Sequence, residues 1–473
     1  MKGIKKPLII LLVLILSIRT TGAIMAENGG ADHIMPKEED YMFSAGVITG
    51  LSTDFLSGLT DEQKQNIHLV IPGTINGQTV TSIAKDAFKL SYNTKYSGCR
   101  FVSLDLSNAS GLTSIGENAF YGASGISGSL KIPSKVTAIG NSAFRGCTGF
   151  TGTLVLPGNL KTIGDYAFFD VGLGGTLQIP DQVTSIGSNA FKISDSSLAG
   201  FSGKLTIPAS VESLGSVAFS GNKKITSVEF EGNKLTQIPD SVFRYCGLNG
   251  AVVIPPSVQK IGRNVFDSTN LKTVYLPKRT DESNTAFINS GTFGTFSSSK
   301  LTAIVCHKED FSVVCSTLGS QFSKKTGYEI SVSFVNGGSA EPIDRLYNLP
   351  YNYTKDDQGV WSADSTYRFP QIQGKKWGLT ENAVSPVSET DIIKQEKLYP
   401  ISALEDPVIT FGDGIDKVYD GEPAALKVTA EHPMAKPIGE AKTGDVVFYY
   451  TWSWGTITSS SAVLKGFDEN TYN

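Results

Sequence analysis

Histidine and cysteine are the side chains here best suited to chemistry, and both are scarce. There are four histidines (His33, His68, His307, His432) and five cysteines (Cys99, Cys147, Cys246, Cys306, Cys315). One cluster has suggestive spacing: "CHKEDFSVVC" sets His307 between Cys306 and Cys315. A metal ion or a Cys–His nucleophile would use such a set. No third partner is evident, and the plainer reading is an exposed histidine on a capping strand. No histidine sits in an HExxH or paired ligand spacing, and there is no GxSxG, phosphate loop or EF-hand loop. "DGIDKVYDGE", Asp413 to Glu422, has acids without calcium-loop spacing. No pair of carboxylates stands out for glycoside hydrolysis. No catalytic residue, metal or cofactor is therefore assigned.

What surrounds these residues is a repeat. "KIPSKVTAIGNSAFRGC" begins at Lys131, and "VLPGNLKTIGDYAF", "QIPDQVTSIGSNAF" and "TIPASVESLGSVAF" follow from Val155, Gln178 and Thr206. The phenylalanines of the unit are Phe88, Phe120, Phe144, Phe168, Phe191, Phe219, Phe243 and Phe266, spaced by 32, 24, 24, 23, 28, 24 and 23 residues. A period of 23–24 with two longer steps marks a solenoid with loop insertions. Within a unit, Leu130-Lys131-Ile132 predicts a short strand, which Pro133 ends. Val136 and Ile139 supply further apolar anchors, and Gly140 is expected to permit a turn. Asn141-Ser142-Ala143-Phe144 reads as one helical turn with Phe144 as an inward plug. No unit buries its own apolar face, but stacked units cover one another.

The pattern "IPxxVxxIGxxAFxxC" resembles the BspA-type leucine-rich repeat of secreted and surface proteins, over roughly residues 66–302. "DLSNASGLTSIGENAF" lacks the proline, Ala84 replaces the first glycine, and Pro239 stands where a later glycine is expected. The fold expected is a leucine-rich-repeat solenoid of short strands and short helical turns, followed by small all-β modules. Residues 27–65 are expected to cap its start, where Thr60 and Gln63 make a capping-box signal. Residues 303–328 are expected to close it with a strand and a helix from about Glu309. Residues 329–405, with "EISVSFVNGGSAEP" and "YRFPQIQGKKWGL", resemble the β-grasp repeat of internalin-like surface proteins. Residues 406–473, with "ITFGDGIDKVYDGEPAALKVTA" and "VVFYYTWSWGTI", resemble "YDG" immunoglobulin-like stalk domains, expected either to be incomplete at Asn473 or to continue beyond it.

Residues 1–26 read as a secretory signal, with Lys2, Lys5 and Lys6, an apolar run from Leu8 to Leu16, and small residues at Ala23 and Ala26 near which cleavage is expected. Its removal lowers lysine plus arginine from 41 to 37 against 45 acids, a net charge of about −8. That balance gives no footprint for nucleic acid and none for insertion of the mature chain in a membrane. Cys99, Cys147 and Cys246 fall three residues after the Ala-Phe plug or at its equivalent, and are expected as buried thiols. Export would permit a disulfide between Cys306 and Cys315 across the cap.

The expected partner-binding face is the row of outward residues on the predicted strands: Asp105, Lys131, Val155, Gln178, Thr206, Glu229, Val253 and Tyr275. The row is mixed, suiting a protein partner or a glycan. The resemblance implies a cell-surface or secreted protein that acts in adhesion, without catalysis, through a host matrix or cell-surface protein. A glycan-binding alternative would gather Tyr275, Phe293 and Phe296 on one face. An enzyme would need a site in residues 329–473.

Overall fold

The computed structural model describes residues 33–90, 95–281, 287–288, 290–293, 300–335, 341–373, 375–383 and 385–401, and the backbone of four strands beyond. Residues 1–26, read as a secretory signal, and Asn336-Gly337-Gly338, Phe296, the Asp413–Glu422 segment and Trp452 lie outside the described residues. A hairpin, Tyr41–Ser44 and Val47–Leu51, opens the solenoid, turning through Ala45 and Gly46 at positive φ. Its second strand pairs in parallel with Ser82–Ile83 of the first unit. Thr60 caps the four-residue helix Asp61–Lys64, and its exchange with Gln63 completes the expected capping box.

The unbroken sheet is built around the apolar anchor that precedes each glycine, Ile139 in the unit of Gly140, where the sequence reading predicts no strand. The dipeptides Ser82–Ile83, Ser114–Ile115, Ala138–Ile139, Thr162–Ile163, Ser185–Ile186 and Ser213–Leu214 pair in parallel, each with the next. With the opening hairpin they make eight strands. The second residue of each pair is buried and the first faces out. The strands predicted around Lys131 also form, but in separate sheets. These are Ile67–Val70 with Phe101–Asp105, Leu130–Lys131 with Leu154–Val155, and three strands from Gly175 to Phe230. A fourth sheet runs from Asn249 to Gly327.

Two local readings are corrected. The glycine after each sheet dipeptide is there for lack of room, not to make a turn. A Cβ on Gly140 would lie 2.6 Å from the Glu117 nitrogen and the Gly116 carbonyl carbon, and Gly116, Gly164, Gly187 and Gly215 are equally tight. Side chains essentially never approach backbone so closely, so the stacking distance itself excludes them. The Ala-Phe segment is not a helical turn, because the residue two before each phenylalanine has φ between 54° and 65°: Asp86, Asn118, Ser142, Tyr166, Asn189, Val217, Ser241 and Asn264. Asn and Asp tolerate that left-handed conformation, whereas a β-branched valine does so only under strain.

The left-handed residue aims each phenylalanine at the solenoid axis. All eight rings are buried, and successive planes lie within 12° of parallel with centroids 5.1–6.0 Å apart. Phe293 adds a ninth ring, and Phe322 of the closing helix tilts at 55° across the end. Each contact of this kind contributes about 0.5–1.5 kcal/mol beyond simple burial. Phenylalanine N–H groups donate to the residue before the next phenylalanine, as Phe120 does to Ala143 and Phe144 to Ala167.

At Pro239 the unbroken sheet stops. Gly215 donates to Ile186 and Gly262 to Ile238, but proline has no N–H to donate to the unit before it. The dipeptides Gln237–Ile238 and Lys260–Ile261 pair only with each other.

The closing cap is the strand Ala303–Val305, a 3-10 turn Lys308–Asp310 and the helix Phe311–Ser323. Glu329–Phe334 begins a four-stranded sheet ordered Ile343–Leu346, Glu329–Phe334, Lys397–Ile401, Lys376–Gly378, with a parallel central pair. Its satellite hairpin, Tyr353–Lys355 with Trp361–Ala363, buries Trp361 against Ala303 and Val305 of the solenoid. Beyond it, Val408–Phe411 pairs with Val428–Glu431, and Val446–Tyr449 with Val463–Gly466. No helix among the described residues is long and apolar enough to cross a membrane.

Candidate interaction surfaces

The groups that first suggested chemistry are structural. Cys306 is buried, its thiol pushed up to about 12, chiefly by desolvation. A thiol so protonated is a poor nucleophile. The exposed His307 turns to Glu309 at 3.8 Å. Cys306 and Cys315, the pair for which export would permit a disulfide, stand here as free thiols near different carbonyls. Cys306 Sγ points to Gly327 O at 3.5 Å and Cys315 Sγ to Ser323 O at 3.9 Å. Cys147 and Cys246 are buried as expected, and each donates to the preceding unit's phenylalanine carbonyl, Phe120 or Phe219. Cys99 is only partly buried, since it lies in the longer insertion of the first unit and not behind its phenylalanine. No group of three or more metal-ligating side chains occurs among the described residues.

One hydrogen-bonded chain was not legible in the sequence. The pairing of Ile67–Val70 with Phe101–Asp105 sets His68 opposite Ser103. His68 Nδ1 lies 2.8 Å from Ser103 Oγ, and its Nε2 lies 2.8 Å from His33 Nδ1. Desolvation, and then the neighbouring His33, hold His68 below the ordinary histidine pKa. The chain ties residues 33–34 to the first strand, where Ile34 bridges Ile67.

The expected strand row is only partly assembled. Lys131 pairs with Val155, Thr206 with Glu229, and Val253 with Tyr275, whereas Gln178 is exposed but outside any strand. Asp105 is exposed opposite Val70, and Glu229 is held by Lys204. Val155 and Val253 stand out, 47% and 65% exposed. Tyr275 is corrected as a face residue, because the satellite hairpin covers it and its hydroxyl donates to Gly359 O at 2.9 Å. Phe293 is likewise unavailable, being buried in the phenylalanine stack.

Two other surfaces carry more order. The outward row of the unbroken sheet is Ser82, Ser114, Ala138, Thr162, Ser185 and Ser213, all small and uncharged. Ser82 and Ser114 hydroxyls meet at 2.9 Å, and the adjoining Thr113 donates to Thr81 O at 2.9 Å. The second surface is the turn edge, where the residue after each stacked phenylalanine is Lys89, Tyr121, Arg145, Phe169, Lys192, Ser220, Arg244 or Asp267. Backbone bonds fix their register, as Gly122 donates to Arg145 O, Gly146 to Phe169 O and Asp170 to Lys192 O. Cations and rings alternate along it. The Arg145 guanidinium lies 5.5, 4.9 and 5.0 Å from the Tyr121, Tyr166 and Phe169 ring centres, and Lys192 Nζ lies 5.5 Å from Phe169. Residues one apart per unit carry a signal only once the stacking register is known.

A profile of the BspA type leucine rich repeat region, in six copies, matches residues 74–197 and 176–294. No curated protein matches the chain. Among solved structures, a leucine-rich repeat protein of T. pallidum is 22% identical over 50% of this chain and 80% of its own, with a TM-score of 0.27. A leucine rich cell surface protein of Faecalibacterium prausnitzii is 17% identical over 62% and 92%, with a TM-score of 0.29. The pneumococcal vaccine antigen PcpA is 15% identical over 59% and 93%, with a TM-score of 0.23.

Proposed function

The chain belongs through residues 74–294 to the BspA-type leucine-rich repeat family, and on that premise we propose that it is a non-catalytic interaction protein that works outside the cell and adheres to a protein partner. The observation that supports this reading most is the unbroken sheet. Six successive units present short, uncharged side chains from Ser82 to Ser213 in register. Such a surface lets a partner approach the backbone closely over several units, as stacked repeats generally do. The leader read in residues 1–26 fits export, and a host matrix or cell-surface protein is the partner class that adhesion implies. The sheet order of residues 329–401, with its parallel central pair, fits a β-grasp module at the solenoid's end. A stalk-like role is proposed for residues 406–473.

The test is saturable binding of the full chain to purified matrix and epithelial surface proteins. Ser114→Lys with Thr162→Lys places two long cations on the flat row. It is expected to abolish binding while leaving thermal unfolding unchanged, whereas changing Lys131, Gln178 and Glu229 together leaves binding near its original level. Loss of binding only in the second set would move the site to the strand row.

A further inference from the structure

We propose that the turn edge carries a second binding site, for an acidic saccharide chain, centred on the cleft beneath the inserted loop 194–199. The cleft encloses about 630 Å³, and its floor is three successive turn-edge residues, Lys192, Ser220 and Arg244. Lys223 and Lys224 add two exposed cations to its wall, and Tyr245, 44% exposed, stands beside them. No glutamate lines it.

The carboxylates near the cleft are already engaged. Asp195 accepts from the Ser197 N–H and hydroxyl at 2.8 and 2.7 Å, and Asp170 accepts from the Ser194 N–H and hydroxyl at 2.6 and 2.5 Å. Asp267 receives Arg244 Nε at 2.9 Å. These bonds shape the loop and hold Arg244 flat against Tyr245, whose ring centre lies 4.6 Å from the guanidinium. Neither Lys223 nor Lys224 has a carboxylate partner among the described residues. The wall therefore keeps uncompensated positive charge on a chain that is acidic overall.

The spacing of the edge selects the ligand. Cations recur at every second unit (Lys89, Arg145, Lys192, Arg244), with Tyr121 and Phe169 between the first three. One unit advances by 5.1–6.0 Å, judged from the phenylalanine stack beneath. An extended acidic peptide repeats same-face side chains at roughly 6.8 Å, which fits neither one unit nor two. A sugar ring advances a linear chain by close to one unit. A polymer charged on alternate sugars would thus meet a cation and then a ring, the ring lying against a pyranose face. An acidic helix repeats a face about every 10.5 Å, close to two units, but gives the intervening rings no flat partner. The site rests on different residues from the flat sheet row, so either can fail alone.

The test is titration calorimetry of the full chain with size-defined hyaluronan oligosaccharides, which carry a carboxylate on alternate sugars, with neutral dextran, polyglutamate and an acidic helical peptide as comparators. Saturable binding to the hyaluronan oligosaccharide alone is expected, weakening steeply with salt. Lys223→Ala with Lys224→Ala should weaken it about tenfold, since each removes a charge-assisted contact. Tyr245→Ala should weaken it severalfold and leave the salt dependence unchanged. All three side chains are exposed, and unaltered thermal unfolding confirms that the variants fold. The proposal is overturned by no binding at millimolar oligosaccharide, by equal binding of polyglutamate or the helical peptide, or by unchanged affinity in the lysine variant.

Discussion

Arg279 and Asp310 form a buried pair in which the carboxylate takes both the Arg279 N–H, at 2.9 Å, and the guanidinium Nε, at 2.8 Å. Both side chains are shielded from water, and the pair fastens the closing 3-10 turn to the strand segment that follows Tyr275. Asp310→Asn takes the carboxylate away from the buried guanidinium and should cost about 3–5 kcal/mol. Arg279→Met with Asp310→Leu should cost far less, because no buried charge remains. Denaturant titration of the three proteins distinguishes loss of a charge partner from loss of packing.

Close stacking predicts opposite outcomes for two neighbouring glycines. A Cβ on Gly164 would lie 2.5–2.7 Å from Asn141 Oδ1, Asn141 N and Gly140 C, whereas one on Gly158 meets nothing within 4 Å. Gly164→Ala should therefore destabilise by roughly 2–3 kcal/mol through forced separation of two units. Gly158→Ala should be neutral or slightly stabilising through the unfolded chain. Urea midpoints of both variants read the difference directly.

Val217 holds φ at 65° in the position that Asn118, Asn189 and Asn264 fill elsewhere. A left-handed β-branched residue stores about 1–2 kcal/mol of strain. Val217→Asn should recover about 1 kcal/mol, and Val217→Gly less, because glycine gains freedom when unfolded. A rise in urea midpoint without a change in slope is the expected signature.

Acid should loosen the start of the chain before the rest. His68 titrates below its ordinary value because desolvation and His33 oppose its charge. The unfolded chain then binds the proton more readily than the folded one. The stabilising contribution is complete above the unfolded histidine value, near 6.5, and is lost as pH falls from there through the lower folded value. Protection factors at Ile34 and His68, taken relative to the intrinsic exchange rate at each pH, should fall between pH 7 and 5, while that at Phe144 stays constant. His68→Gln should remove that pH dependence.

The repeat was legible because its signals are local. Period, Ile-Pro, Ile-Gly and Ala-Phe lie within one unit, and the eight predicted plugs are the eight rings that stack. What a glycine avoids is not local. Gly140 is explained by Glu117 and Gly116, one unit away, so the same letter suggested a turn. Tyr275 looked like the last member of an open row until the hairpin at Trp361, 86 residues on, covered it. The alternation of Lys89, Tyr121, Arg145, Phe169 and Lys192 likewise emerges only when units separated by 23 to 32 residues are laid side by side. The serine opposite His68 was hidden for the same reason, being set by strand register alone.

Pro239 also bears on how the molecule carries force. On one side of that unit the dipeptide ladder is interrupted, while the turn edge still holds through Val217 to Asp240, Phe219 to Val242 and Gly221 to Arg244, and Ser202–Ile207 stays paired in parallel with Lys224–Phe230. A rod that loses one of three ladders of bonds at a joint is more compliant toward that side than toward the other two. Tension along the array would strain this seam first on its interrupted side, while the phenylalanine column and the paired strands stay shut. Bending would then be absorbed at one defined crease, sparing the units on either side.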